Sequence, residues 1–256
     1  MKPLLNVERS GRVLVATLAR APVNALDQRL IDELGAALDR AIADDDVAVL
    51  HLRSEQRAFC AGADLALMAD CVTTPQGPDT MTAVVREMQR LFRQLESAPL
   101  VTLAEIGGPA LGGGFELALA CDLRVAALEA RLGLPEAGLG LLPGAGGTQR
   151  LTRLCGPGLA RRLILGAELL DGGQAERLGL VQWACPRDEL AAFARDIAAR
   201  YAALPKAALA ANKRCMAAAT DAQRDGFAEE LAETRRLYDD PVTRQRVSAF
   251  LAGRGR

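Results

Sequence analysis

Short apolar runs alternate along this chain with segments of helical periodicity, and that alternation restricts it to α/β wiring. Val13-Leu14-Val15-Ala16-Thr17-Leu18 reads as a strand. Leu30, Ile31, Leu34, Leu38 and Ile42 then recur on one helical face behind Asp27, a good N-cap. Asp44-Asp45-Asp46 stops that helix, and Val47-Ala48-Val49-Leu50-His51-Leu52 reads as a buried strand, its histidine a packed core residue. The rhythm returns over residues 58–181. A Pro/Gly-bearing stretch at 71–79 predicts a mobile loop, and Met81, Val84, Val85, Met88, Leu91, Phe92 and Leu95 predict an amphipathic helix. A strand at 100–106 leads into a glycine turn that opens a helix at 115–120. Strands at 123–128 and 132–134 follow, and then a loop at 138–147.

From about Asp188 the pattern is helical only, with segments at 188–204, 205–218, 222–238 and 242–251. Their apolar surface needs cover, from the main domain or from a second subunit. No sequence repeat of the length that marks a solenoid is present.

Half of the residues are hydrophobic, which supports a sizeable core. Thirty-one Lys and Arg against 32 Asp and Glu leave a net charge of -1, so no electrostatic footprint for nucleic acid or an anionic membrane is expected. The six cysteines include no CxxC pair and read as reduced thiols. The first residues lack a signal-peptide pattern, and no apolar stretch approaches the ~20 residues of a membrane span. The expectation is a cytoplasmic enzyme or binding domain.

Three segments could carry chemistry. In Ala110-Leu111-Gly112-Gly113-Gly114-Phe115-Glu116, glycines between a strand and a helix allow close backbone approach and leave N–H groups free for a negative charge. Glu116 follows within the first helical turn. The plain alternative is a tight packing turn with a dipole-stabilising glutamate. In Ala58-Phe59-Cys60-Ala61-Gly62-Ala63-Asp64-Leu65, small residues crowd a strand-to-loop transition, and an unpaired N–H there would supply a second donor to one oxyanion. Here the alternative is an ordinary turn with Asp64 capping a helix. In the segment from Arg131 to Arg150, Glu136 follows Pro135 amid apolar residues and glycines, where desolvation would raise its pKa. A surface glutamate on a turn is the alternative. Neither a dinucleotide fingerprint nor a GxxxxGK[ST] phosphate loop is present.

Taken in order, AFCAGADL, GGPALGGGFELALACD and LGLPEAGLGLLPGAGGTQRL resemble the enoyl-CoA hydratases of the crotonase superfamily. RAPVNAL at 20–26, DGGQAERLGLV at 171–181 and the helix around Asn212-Lys213 extend the resemblance over nearly the whole chain. It implies an α/β fold, the ClpP-like crotonase spiral of ββα repeats, over residues 1–187. A helical region at 188–256 would assemble trimers or hexamers. It implies an acyl-CoA substrate, with coenzyme A as part of that substrate, and no metal or separate cofactor. By the same resemblance, the Ala63 and Gly113 N–H groups form the oxyanion hole, Glu116 and Glu136 are the acid/base pair, and Gly144 helps hold the reacting water. Val23, Ala25, Ala61, Gly62, Asp64, Leu65, Leu111 and Gly112 shape the CoA and substrate groove.

The sequence departs from the family at Gly107, where relatives commonly carry Asn, and at Cys60, a position often small in relatives and read here as packing. Two other activities stay open. One is 3-enoyl to 2-enoyl isomerisation through Glu136. The other is a non-catalytic RNA-binding or scaffold role, disfavoured by both glutamates and by the charge balance.

Overall fold

The computed structural model describes residues 3–254. The chain opens with a hairpin of β1 (Leu5–Ser10) and β2 (Val13–Leu18), then α1 (Gln28–Ala43) and β3 (Val49–Ser54). Next come α2 (Leu65–Thr73), α3 (Gly77–Ser97), β4 (Val101–Ile106), β5 (Ala110–Leu111), α4 (Gly113–Ala120) and β6 (Leu123–Ala127). β7 (Arg131–Gly133) leads into a 3₁₀ turn at Pro135–Leu139, followed by α5 (Gly147–Leu165), β8 (Leu169–Asp171), α6 (Gly172–Arg177) and β9 (Trp183–Cys185). Four helices end the chain: α7 (Arg187–Ala202), α8 (Lys206–Ala218), α9 (Gly226–Asp239) and α10 (Pro241–Arg254).

The larger sheet has the order β1-β2-β3-β4-β6-β9, and the smaller β5-β7-β8. From β2 onward the neighbours in the larger sheet are parallel, and each crossover adds its strand on the same advancing edge. The chain therefore climbs as a spiral. Parallel strands covered on both faces read as continuous apolar runs, which is why the strands beginning at 49, 101 and 123 were legible from sequence. β1 was not, because it is an outer strand paired antiparallel to β2 with only Leu5 buried. Asp27 caps α1 as expected, its carboxylate accepting the Leu30 N–H at 2.8 Å.

The loop expected at 71–79 is instead mostly helix. Asp64 caps α2 by accepting the Ala66 and Leu67 N–H groups, and only residues 74–76 separate α2 from α3. Gly77 and Pro78, which suggested a loop, serve the start of α3. Proline is tolerated in a first helical turn, and a Cβ on Gly77 would stand 1.7 Å from the Cys71 carbonyl oxygen.

The expected boundary at 187 falls just before α7, yet α7 is part of the core. It lies on the larger sheet with Leu190, Ala194, Ile197, Ala198 and Ala202 buried. The space beside Gly107 is occupied by Leu190, whose Cδ2 would lie 3.5 Å from an added Cβ. His51 is buried in β3 with Nε2 2.9 Å from Glu105 Oε2. α8 is fastened to the sheet through Lys213, whose Nζ donates to Asp122 Oδ2 at 2.7 Å and to the Leu100 carbonyl at 2.9 Å. α9 buries none of its residues and exposes Phe227, Leu231 and Tyr238. Among the described residues, no helix is long and apolar enough to cross a membrane.

Candidate active site

Three turns meet where β3 and β4 end, and buried Asn24 ties two of them together. Its side-chain amide donates to Ser54 Oγ at 2.7 Å, Phe59 O at 2.9 Å and Ala58 O at 3.2 Å, while its Oδ1 accepts the Arg20 N–H at 2.9 Å. The segment from Val23 to Leu26 therefore runs alongside residues 61–64. Ala61 N–H donates to Val23 O, Leu26 N–H to Gly62 O and Asp64 N–H to Leu26 O. The third turn joins by Leu111 N–H donating to Cys60 O at 3.0 Å. Gly114 permits that approach, since a Cβ there would stand 2.0 Å from the same carbonyl oxygen.

This lattice uses the N–H groups of Ala61 and Asp64 but not that of Ala63. Gly113 opens α4, where an N–H has no acceptor within the helix. Among the described residues neither group has a hydrogen-bond partner in the chain. They are neighbours: a Cβ on Gly62 would lie 3.4 Å from Gly113 N, and one on Gly113 would lie 3.8 Å from Ala63 N. Gly62 takes φ +95° and Gly112 φ +52°, backbone conformations that glycine adopts without strain.

Glu116 projects from α4, a helix with all eight residues buried. Its Oε1 accepts the Gly147 N–H at 2.6 Å. Burial is the main cause that pushes its carboxyl up to about 7, with the Glu136 charge adding to the rise. The Gly147 and Ala145 backbone groups and the Arg150 cation oppose it. Glu136 arrives from another direction. Parallel pairing of Leu111 with Gly133 and the Gly112 N–H to Gly133 O bond at 2.9 Å bring the 3₁₀ turn beside the glycine turn. A Cβ on Gly112 would stand 2.8 Å from Glu136 Oε1. Burial raises this carboxyl too, and among the described residues its buried Oε2 has no hydrogen-bond partner.

The remaining expected residues divide. Val23, Ala25, Ala61, Gly62, Leu111 and Gly112 line the meeting turns, and Leu65 stands 75% exposed at the start of α2. Asp64 is engaged by its own chain: it caps α2 and pairs with Arg20, whose guanidinium holds its carboxyl below the usual range. Arg20 also donates to Ala25 O at 3.0 Å and lies 3.2 Å from Asp27. The Gly144 carbonyl accepts from Gln89 at 2.6 Å, and it is Gly147 that touches Glu116. Cys60 is fully buried, its thiol pushed up to about 12 by burial and donating to the Asn24 carbonyl oxygen at 3.0 Å, which fits a packing role. Gln89, Gly147 and Arg150 were missed as site residues, and Asn24 was read only as part of the groove-lining turn at 23–25. Their partners lie 30 or more residues away or depend on a turn geometry that local sequence does not disclose.

Two neighbouring unpaired backbone donors with two desolvated carboxyls in the same cluster of turns define a class of site, one able to polarise a carbonyl and move protons at the carbons beside it. The family described as enoyl-CoA hydratase/isomerase matches residues 8–251, and the chain belongs to it. The 2,3-dehydroadipyl-CoA hydratase of Escherichia coli is 36% identical over 98% of this chain and 96% of its own. A probable enoyl-CoA hydratase of Bacillus subtilis is 40% identical over 74% of this chain and 72% of its own. The structure of Pseudomonas aeruginosa DspI superposes with a TM-score of 0.90 at 35% identity, covering 98% of this chain and 95% of that one. The fold is the crotonase spiral, and the protein is an enzyme of the enoyl-CoA hydratase type.

Proposed function

We propose that this enzyme adds water reversibly across the 2,3 double bond of a 2-enoyl-CoA to give the 3-hydroxyacyl-CoA. The observation that carries this reading is the neighbouring, unpaired N–H groups of Ala63 and Gly113 with the carboxyls of Glu136, beside Gly112, and Glu116, on α4, in the same cluster of turns. The thioester carbonyl accepts from both N–H groups, which draws electron density from C3. Glu116, as carboxylate, takes a proton from water while the water oxygen bonds to C3. The π electrons move onto the thioester oxygen as an enolate, held by the two donors. Glu136, as carboxylic acid, then delivers a proton to C2, and exchange with solvent resets both groups. The pKa of about 7 for Glu116 divides it between both forms at neutral pH, which suits a base that must also return its proton in the reverse direction.

Coenzyme A enters as part of the substrate, and the steps need no metal or further cofactor. By its family resemblance the enzyme would assemble as a trimer, or a hexamer of two trimers, in the cytoplasm, and the exposed apolar residues of α9 support an interface between copies.

The test is loss of enoyl-thioester absorbance with crotonyl-CoA in wild type, Glu116→Gln and Glu136→Gln. Rapid hydration in wild type with severe loss in both variants supports the reading. If wild type converts 3-enoyl-CoA but hydrates nothing, and only Glu136 is required, the isomerase takes its place.

A further inference from the structure

The turn that holds Glu116 is itself gripped from behind. Arg150 is 8% exposed, and its Nη1 donates to Ala145 O at 3.0 Å. Its Nη2 and Nε reach Glu96 Oε2 on α3 at 3.0 and 3.3 Å. Gly146, at φ +108°, lies against the guanidinium, and a Cβ there would stand 2.3 Å from Nη1. One residue on, a Cβ on Gly147 would stand 2.9 Å from Glu116 Oε1. The absent side chain of Gly146 thus makes room for a cation, and that of Gly147 makes room for the carboxylate. α3 carries the load, because Gln89 and Glu96 are two helical turns apart on one face and secure Gly144 O and Arg150 respectively.

We propose that Arg150 is a positioning residue for hydration, fixing the 145–147 turn so that the Gly147 N–H meets Glu116 while Arg150 itself touches no reacting atom. This rests on the reading of Glu116 as the base. Its two contributions are separable. The planar fork sets geometry, and the positive charge favours the ionised form of Glu116. Lysine keeps the charge and loses the fork.

The experiment is the pH dependence of kcat and KM with crotonyl-CoA in wild type, Arg150→Met, Arg150→Lys and the double variant Arg150→Met/Glu116→Gln. In Arg150→Met, kcat is expected to fall ~10–100-fold with KM nearly unchanged, the scale of a displaced catalytic group. The acid limb should also move to higher pH. Arg150→Lys should return the limb toward wild type while kcat stays low. The double variant should be no slower than Glu116→Gln alone, because Arg150 acts only through that carboxylate.

A folded Arg150→Met enzyme with the wild-type kcat and acid limb overturns the proposal, as does full additivity in the double variant. If Arg150→Met does not fold, Arg150→Lys decides, and wild-type kcat there overturns it. A wild type that hydrates no enoyl-CoA defeats the functional reading first, an outcome distinct from these.

Discussion

The two glutamates of the site stand in regions built on opposite plans. α4 buries every one of its eight residues, whereas the 3₁₀ turn carrying Glu136 buries none of its five and leaves Leu139 68% exposed. Glu116 is held by a backbone N–H and lies within reach of a cation, while Glu136 keeps an oxygen free. A base that must aim at one water benefits from a rigid mount with donors that stabilise its charge. An acid that must lose its proton to carbon needs a raised pKa and a free oxygen. The difference shows that burial of the carboxyl and burial of the backbone beneath it are independent variables.

The comparison is broken most severely at the carboxyls. Glu116→Gln and Glu136→Gln should each reduce kcat by ~10²–10⁴-fold in the crotonyl-CoA assay, since the proposed mechanism places them at the two ends of one proton path. A variant retaining near-wild-type kcat would show that its carboxyl is not on that path.

Packing around the two mounts should differ next. Leu117→Ala in α4 removes a fully buried side chain and should cost ~2–5 kcal/mol in urea unfolding. Leu139→Ala should stay within about 0.5 kcal/mol. Equal costs would mean that the 3₁₀ turn is covered in the assembled protein.

The buried mount also has a signature in stability. The Glu116 carboxyl sits at about 7 in the folded chain against 4.5 ordinarily, so the folded state holds that proton longer than the unfolded one. Its contribution to stability is therefore lost as pH rises from about 4.5 through 7. Glu116→Gln removes this dependence, so relative to wild type it should gain on the order of 3 kcal/mol between pH 4.5 and 8. A constant difference across that range, measured by thermal melts, would contradict the burial argument.

The smallest effect is on the rate profile of the unaltered enzyme. Activity should decline tenfold per unit well below pH 7 as Glu116 is protonated. An acid limb near 4.5 would place the base in water.

The contrast also explains what the sequence disclosed. Glu116 was legible because glycines precede it at a strand-to-helix junction, and Glu136 because proline and apolar residues surround it. Both signals are local. The segment at 71–79 was misread as a loop because Gly77 and Pro78 act there through a helix start and a tertiary contact with Cys71. Arg150 was passed over for a similar reason. Its meaning depends on Glu96, 54 positions earlier, and on a glycine conformation that only the folded turn reveals.

The bond between Lys213 and Asp122 joins groups 91 positions apart and secures the chain just beyond α4. During synthesis, at roughly 5–20 residues per second, the segment bearing Glu116 leaves the ribosome several seconds before its clasp exists. Throughout that interval the growing chain has the helix bearing Glu116 but not the lysine that pins the following strand. The clasp is thus a late checkpoint, closed only when the helical end has arrived, and a chain terminated before residue 213 would present the site's glycines and glutamates without their final anchor.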